Sequence, residues 1–195
     1  MTKKRVLIAN RGEIALRIIR SVKEMDMHAI AVYSDVDADS LHVKRADESF
    51  YLGGSLPADS YRNLKNLMKA VIETKADMVH PGYGFLAENA DFAKAVQKKD
   101  VIWIGPNPET IKSMGDKIES RKLISKAGLM PVPGQLKPSR TKREAIKDAS
   151  TFGYPIALKA AHGGGGKGLR IVNNEEELNQ NYEIVKRESE AYFGS

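Results

Sequence analysis

At 195 residues, with 42% hydrophobic and 29% charged side chains, the chain has the make-up of an ordinary globular protein with room for one good core and a second, smaller unit. No run approaches the ~20 apolar residues of a membrane span, and the absence of cysteine excludes disulfides and thiol catalysis, so cytosol is the expected compartment. The formal charge of +6 invites a nucleic-acid reading, but the basic residues are spread over helical stretches without interleaved aromatics for base stacking, and the balance suits small anions instead.

From Arg5 to Ile104 short apolar runs alternate with helical periodicity, which predicts a parallel sheet covered by helices. Expected strands are Val6 to Ala9, Ala29 to Tyr33, Ser49 to Leu52, Met78 to His80 and Val101 to Ile104; expected helices are Glu13 to Met25, Tyr61 to Lys75 and Asn89 to Lys98. The first helix places Ala15, Ile18, Ile19, Val22 and Met25 on one stripe, the second Leu64, Leu67, Met68, Val71 and Ile72, and both stripes read as core. Helical stretches over Pro108 to Met114 and Asp116 to Ala127 follow, the second carrying the basic residues Lys117, Arg121, Lys122 and Lys126 with Ile118 and Leu123 turned inward. Leu129 to Pro138, with three prolines and a glycine, reads as a linker. Thr141-x-x-Glu144 is a capping box opening a helix to about Thr151, and Asn174-x-x-Glu177 opens a long helix to Phe193. The resulting expectation is a doubly wound Rossmann-like α/β domain over residues 1–115, a connecting helix and linker over 116–130, and the start of a second α+β domain over 131–195. A helix, two strands and a helix bury little apolar surface, so the second domain is expected to be incomplete.

Tyr154 to Gly168 reads YPIALKAAHGGGGKG, an apolar strand carrying one lysine into four consecutive glycines. Bare backbone amides can approach an anion closely, and Lys159 adds a point charge, so the stretch reads as a phosphate-binding flap. It is not a Walker loop. Ala161 stands at the first glycine position, Gly168 stands where a Mg-binding hydroxyl is required, and LRIV (Leu169 to Val172) continues as strand where a helix should open.

Three stretches together, ANRGEIALRI (Ala9 to Ile18), HPGYGFLAENA (His80 to Ala90) and the glycine tract, resemble biotin carboxylase, the ATP-grasp component of biotin-dependent carboxylases. The resemblance runs from Lys4 onward and includes GPNPETIKSMGDK (Gly105 to Lys117). It implies a pre-ATP-grasp domain followed by the beginning of an ATP-grasp domain with its glycine-rich lid, and an enzyme in which ATP phosphorylates bicarbonate to carboxyphosphate, whose CO₂ is taken up by a biotin ureido nitrogen. The implied cofactors are ATP with Mg or Mn, and biotin as substrate on a carrier protein; the implied partners are the biotin carboxyl carrier protein or domain, a carboxyltransferase, and a second copy of the chain. Acetyl-CoA, propionyl-CoA and pyruvate carboxylases share these motifs, so the acyl acceptor stays open.

By that resemblance, Lys117 and Lys159 are ATP phosphate ligands, Gly163, Gly164, Gly165 and Gly166 form the loop over the phosphates, and Tyr83 lies near the biotin ureido ring. Arg20 and Glu24 on the first helix correspond to homodimer-interface positions, although a bland i, i+4 pair accounts for them equally well. His162 and Lys167 are bystanders, His80 a structural histidine, and Glu88 a carboxylate capping the helix that follows it. The family's metal-binding glutamates, its bicarbonate and biotin arginines and its adenine hinge have no candidate in these residues, so no catalytic residue is expected here and the 195-residue chain alone is expected to be inactive.

Two other readings compete. Gly12 after the first strand and Asp35 after the second mimic the glycine and ribose-binding acid of a nicotinamide-dependent oxidoreductase, yet NRGEIA holds one glycine where that fingerprint needs three. A short module that dimerises with, or regulates, a full-length carboxylase subunit would keep the first helix with Arg20 and Glu24 and dispense with the chemistry.

Overall fold

The computed structural model describes residues 3–135, 137–159 and 169–193, without the side chains of residue 117 and residues 189–193. The chain divides into two compact units, Met1–Lys112 and Ser113–Ser195.

Unit 1 is built on five parallel strands: β1 (Arg5–Ile8), β2 (His28–Ser34), β3 (Glu48–Gly53), β4 (Met78–His80) and β5 (Ile102–Trp103), side by side in the order β3-β2-β1-β4-β5. Alternation along β1 sends Val6 and Ile8 to one face and Leu7 and Ala9 to the other. The first face packs on Ala15, Ile18, Ile19 and Val22 of α1 (Gly12–Glu24). The second packs on Leu67, Ala70 and Val71 of α3 (Leu64–Glu73) and on Phe92, Ala93 and Val96 of α4 (Ala90–Gln97). Helices on both faces of a parallel sheet make the domain doubly wound, as the alternation of apolar runs implied.

Unit 1 departs from the expected elements in several places. A 3-10 turn (Asp35–Asp37) and a five-residue helix, α2 (Leu41–Arg45), lie between β2 and β3. His42 is the one buried residue of α2, so there was no apolar stripe to read. α3 begins at Leu64 and not at Tyr61, because Asn63 caps it through Asn66 N (3.1 Å) while Tyr61 is drawn into the core, 2% exposed. Met25 and Ile72 are 65% and 55% exposed, contrary to their assignment to core stripes. Met25 stands past the last turn of α1, and Ile72 lies about 100° around the helix from Val71, with Ala70 taking the inward place.

Unit 2 opens in the second half of α5 (Pro108–Gly115) and continues with α6 (Lys117–Lys126), α7 (Lys142–Phe152), the antiparallel pair β6 (Ile156–Lys159) and β7 (Leu169–Val172), and α8 (Glu175–Phe193). Half of the capping box expected at Thr141 forms: its hydroxyl accepts from Glu144 N at 3.2 Å, while the Glu144 carboxylate reaches back one residue further and accepts from Arg140 N at 2.7 Å. Ala145, Ala149, Val172 and Leu178, with Ile156, Leu158 and Tyr182, make a small core between the helices α7 and α8 and one face of the two-stranded sheet. In α6, Leu123 is 49% exposed, not turned inward.

Candidate functional site

In a sheet of this order the connections leave β1 and β4 toward opposite faces, and a crevice opens at the carboxyl ends of those two strands. The loops that meet there are Asn10 to Gly12 and Pro81 to Phe85. Asn10 is 2% exposed and stitches them together: its amide donates to the carbonyl oxygens of Pro81 and Tyr83, both at 2.8 Å, and its Oδ1 accepts from Arg11 N at 2.9 Å. Gly82, Gly84 and Phe85 all have positive φ, at 67°, 67° and 45°. A Cβ on Gly82 would stand 2.7 Å from Asn10 Nδ2, so glycine is required there both for conformation and for space. Phe85 carries a side chain in a region that costs about 1 kcal/mol or more, and its ring is held by stacking on Tyr61, 5.2 Å between centroids.

On this fixed loop Tyr83 is 61% exposed, and its hydroxyl donates to the carboxylate of Glu13, which raises the phenol pKa above its ordinary value. His80 Nδ1 accepts from Gly82 N at 3.0 Å, and burial lowers its pKa, so it serves the loop as a neutral ring. Glu88 is exposed and does not cap the following helix; Asn89 does, accepting from Phe92 N at 2.8 Å.

Beside the crevice lies a buried carboxylate that the sequence reading did not single out. Asp37 accepts from Arg11 Nε and Nη2 (both 2.6 Å), Tyr61 OH (2.7 Å), Ser34 Oγ (3.1 Å) and Ser40 Oγ (3.2 Å). The Arg11 hydrogen bonds hold its pKa well below the usual carboxylate range against the burial that opposes them, with Tyr61 and Ser34 assisting. Burial, aided by Asp37, pushes the Tyr61 phenol up to about 12. Asp35, the candidate ribose acid, accepts a hydrogen bond from Tyr51.

In unit 2, strand alternation puts Ile156, Leu158 and Val172 against the helices and turns Ala157, Lys159, Leu169 and Ile171 outward. The outward residues face each other in register, Ala157 opposite Ile171 and Lys159 opposite Leu169. Leu169 is 43% and Ile171 61% exposed, so the Lys159 ammonium ends an open apolar patch. Gly163, Gly164, Gly165 and Gly166, with His162 and Lys167, lie outside the described residues. Lys117 heads α6, whose first turn is capped by Asp116 accepting from Ile118 N (2.8 Å) and Glu119 N (2.9 Å); the Lys117 side chain lies outside the description. On α1, Arg20 and Glu24 are exposed and border a groove of about 610 Å³ with Leu16, Lys23, Leu41 and Arg45.

A doubly wound parallel sheet with a structured loop pair at its switch point, followed by a helix-backed strand pair flanking a glycine tract, defines the class as a two-unit α/β protein with a Rossmann-like first domain. Residues 2–111 match the family model described as biotin carboxylase, N-terminal domain, and residues 116–195 match that of the carbamoyl-phosphate synthase L chain, ATP binding domain. The chain belongs to the biotin carboxylase family.

The chain is 45% identical over 192 residues to biotin carboxylase 1 of Bacillus subtilis, which covers 98% of this chain and 43% of that protein. It is 44% identical over 193 residues to human mitochondrial pyruvate carboxylase, covering 98% of this chain and 16% of that one. Among solved structures, the biotin carboxylase domain dimer of the Hydrogenobacter thermophilus 2-oxoglutarate carboxylase, in complex with MgADP, ADP and bicarbonate, superimposes with a TM-score of 0.93 at 44% identity, covering 100% of this chain and 43% of that one. The chain thus spans less than half the length of these relatives, matching their amino-terminal part. They differ in what they carboxylate, so the match does not single out acetyl-CoA as acceptor or fatty acid biosynthesis as the setting.

Proposed function

We propose that this chain is the amino-terminal part of an ATP-dependent biotin carboxylase, a ligase that uses bicarbonate to carboxylate biotin on a carrier protein and works with a carboxyltransferase. The observation that carries the reading is the outward face of the β6–β7 pair. Lys159 ends an apolar patch of Ala157, Leu169 and Ile171, and in the sequence the glycine tract begins four residues after it, at Gly163. A flat apolar ring with an anionic tail fits that sequence of surfaces, and a nucleotide has both. In this reading Lys159 and Lys117 neutralise the phosphates of ATP, the amides of Gly163, Gly164, Gly165 and Gly166 close over them, and Tyr83 meets the biotin ureido ring.

In this reading the ligands of Mg²⁺ or Mn²⁺ belong to other parts of the enzyme, as the family resemblance implies. The 195-residue chain by itself is accordingly expected to show no biotin-dependent turnover, since transfer of a phosphoryl group needs its charge neutralised by metal. Residues 1–115 form the pre-ATP-grasp domain, 116–130 the connection and 131–195 the lid portion. The groove between α1 and α2, with Arg20 and Glu24 at its rim, is where a second copy docks; the dimeric H. thermophilus relative is in keeping with that.

The test is ADP release by the full-length carboxylase polypeptide supplied with MgATP, bicarbonate and free biotin. Biotin-dependent release is expected, and its absence would remove the reading. Lys159→Gln is expected to weaken ATP binding about tenfold, from the loss of one charge-assisted contact, with thermal stability unchanged because the side chain is exposed. Unaltered ATP affinity would remove Lys159 from the site.

A further inference from the structure

We propose that Glu13 is a positioning residue for Tyr83, fixing the orientation in which the phenol ring is presented at the switch-point crevice. The inference rests on the reading above that Tyr83 meets biotin. Its ground is that one residue is gripped at both ends by a single short segment: Asn10 holds Tyr83 by its carbonyl oxygen and Glu13, three residues on, holds it by its hydroxyl.

The grip is directional because both carriers are fixed. Asn10 is buried with three hydrogen bonds, and the loop on either side of Tyr83 is kept at positive φ by a glycine that has no room for a Cβ and by the stacked ring of Phe85. With the backbone settled, the freedom left to Tyr83 is rotation of its own side chain, and a ring 61% exposed has nothing packed around most of it to limit that rotation. Glu13 stands in the first turn of α1, whose inner stripe is buried against the sheet, so the backbone that carries its exposed carboxylate is fixed and the acceptor stays within reach of the phenol. An exposed aromatic on an over-determined, conformationally costly loop is built to meet something outside the domain, and binding is weakened when the ring must be ordered at the moment of contact.

The experiment uses the full-length enzyme with free biotin as variable substrate and ADP release as readout. Glu13→Ala is expected to raise the KM for biotin about three- to tenfold, the equivalent of one hydrogen bond's net worth, with the KM for ATP unchanged. Glu13→Gln keeps an acceptor oxygen and is expected to restore most of the loss. Tyr83→Phe breaks the same bond from the other side, so the double variant should be no worse than either single one. An unchanged biotin KM in Glu13→Ala, alongside a raised one in Tyr83→Ala, would overturn the positioning role and leave the functional reading intact. A Glu13→Ala effect that persists in full on the Tyr83→Phe background would also overturn it, as a contribution to α1 unrelated to the phenol. An unchanged biotin KM in Tyr83→Ala would remove Tyr83 from the site and the inference with it.

Discussion

Replacing Asp37 by asparagine tests the most concentrated set of polar contacts in unit 1. All five groups around the carboxylate donate: two nitrogens of Arg11 and the hydroxyls of Tyr61, Ser34 and Ser40. An amide in either orientation points N–H groups at the Arg11 N–H donors, at a side chain only 2% exposed. Breaking a fully buried pair costs about 3–5 kcal/mol, but the Arg11 side chain is 44% exposed and water can take over part of its solvation, which brings the expected loss to about 2–4 kcal/mol. At a urea dependence of roughly 2 kcal/mol per molar, the midpoint should fall by about 1–2 M. Trp103, the single tryptophan, is a buried residue of unit 1, so its fluorescence follows the unfolding of that unit. The charge also sets a sign with pH. A carboxylate whose folded pKa lies below its unfolded value stabilises above about pH 4 and loses that contribution as pH falls toward the folded value, so the gap between wild type and variant should narrow below about pH 4. A midpoint shift under about 0.3 M at pH 7, or a gap that widens on acidification, would refute the reasoning.

Gly82→Ala should cost at least about 2 kcal/mol in the same fluorescence assay, from backbone strain plus a 2.7 Å contact with the buried Asn10 amide, whereas Gly84→Ala, at the same φ but with open space, should cost about 1. Equal losses at the two positions would count against the Asn10 contact. His42 is 1% exposed, and burial lowers its pKa. The unfolded chain therefore binds a proton there near pH 6.5 that the folded chain refuses, and stability falls as pH drops below that value. His42→Leu removes the ring, with its partnerless Nδ1, and should reduce the dependence of the thermal midpoint between pH 7.5 and 5.5, with His80, whose pKa burial also lowers, keeping part of it; an unchanged slope would assign it elsewhere. Thr141→Ala should weaken α7 by about 1 kcal/mol through loss of its amino-terminal cap, read as faster amide exchange in that helix.

What was legible in the sequence was whatever repeats at a fixed interval or sits within a few residues of its partner. The strands of the parallel sheet, the inner stripe of α1 and the caps at Thr141 and Asn174 are of that kind. What escaped was fixed at long range. Tyr61 has the spacing of a helical residue, but its hydroxyl is claimed by Asp37, 24 residues away, and the helix waits for Asn63. The motif draws attention to Tyr83, but its hydrogen-bond partner Glu13 is 70 residues distant, and nothing in either neighbourhood announces the other. The four glycines of the flap fall outside the described residues, so the sequence remains the ground for their role.

The fate of the two acids after β2 argues against a dinucleotide on this sheet, despite its strand order. Such binding needs a close approach of pyrophosphate to the first loop and an acid free to bind a ribose. Here the first loop has a single glycine, and its neighbour Arg11 is locked in two hydrogen bonds to Asp37. Asp35 accepts from Tyr51, and Asp37 has every lone-pair direction filled by five donors. The charge that would meet a nucleotide is consumed within the domain, where it anchors the start of α1. With α1 anchored, Asn10 and Glu13 are held at its head, and through them the Pro81 to Phe85 loop. The polar groups at this end of the sheet therefore work as a frame for the second loop and leave Tyr83 as the exposed surface, while the open cation beside an apolar patch is found in the other unit, at Lys159.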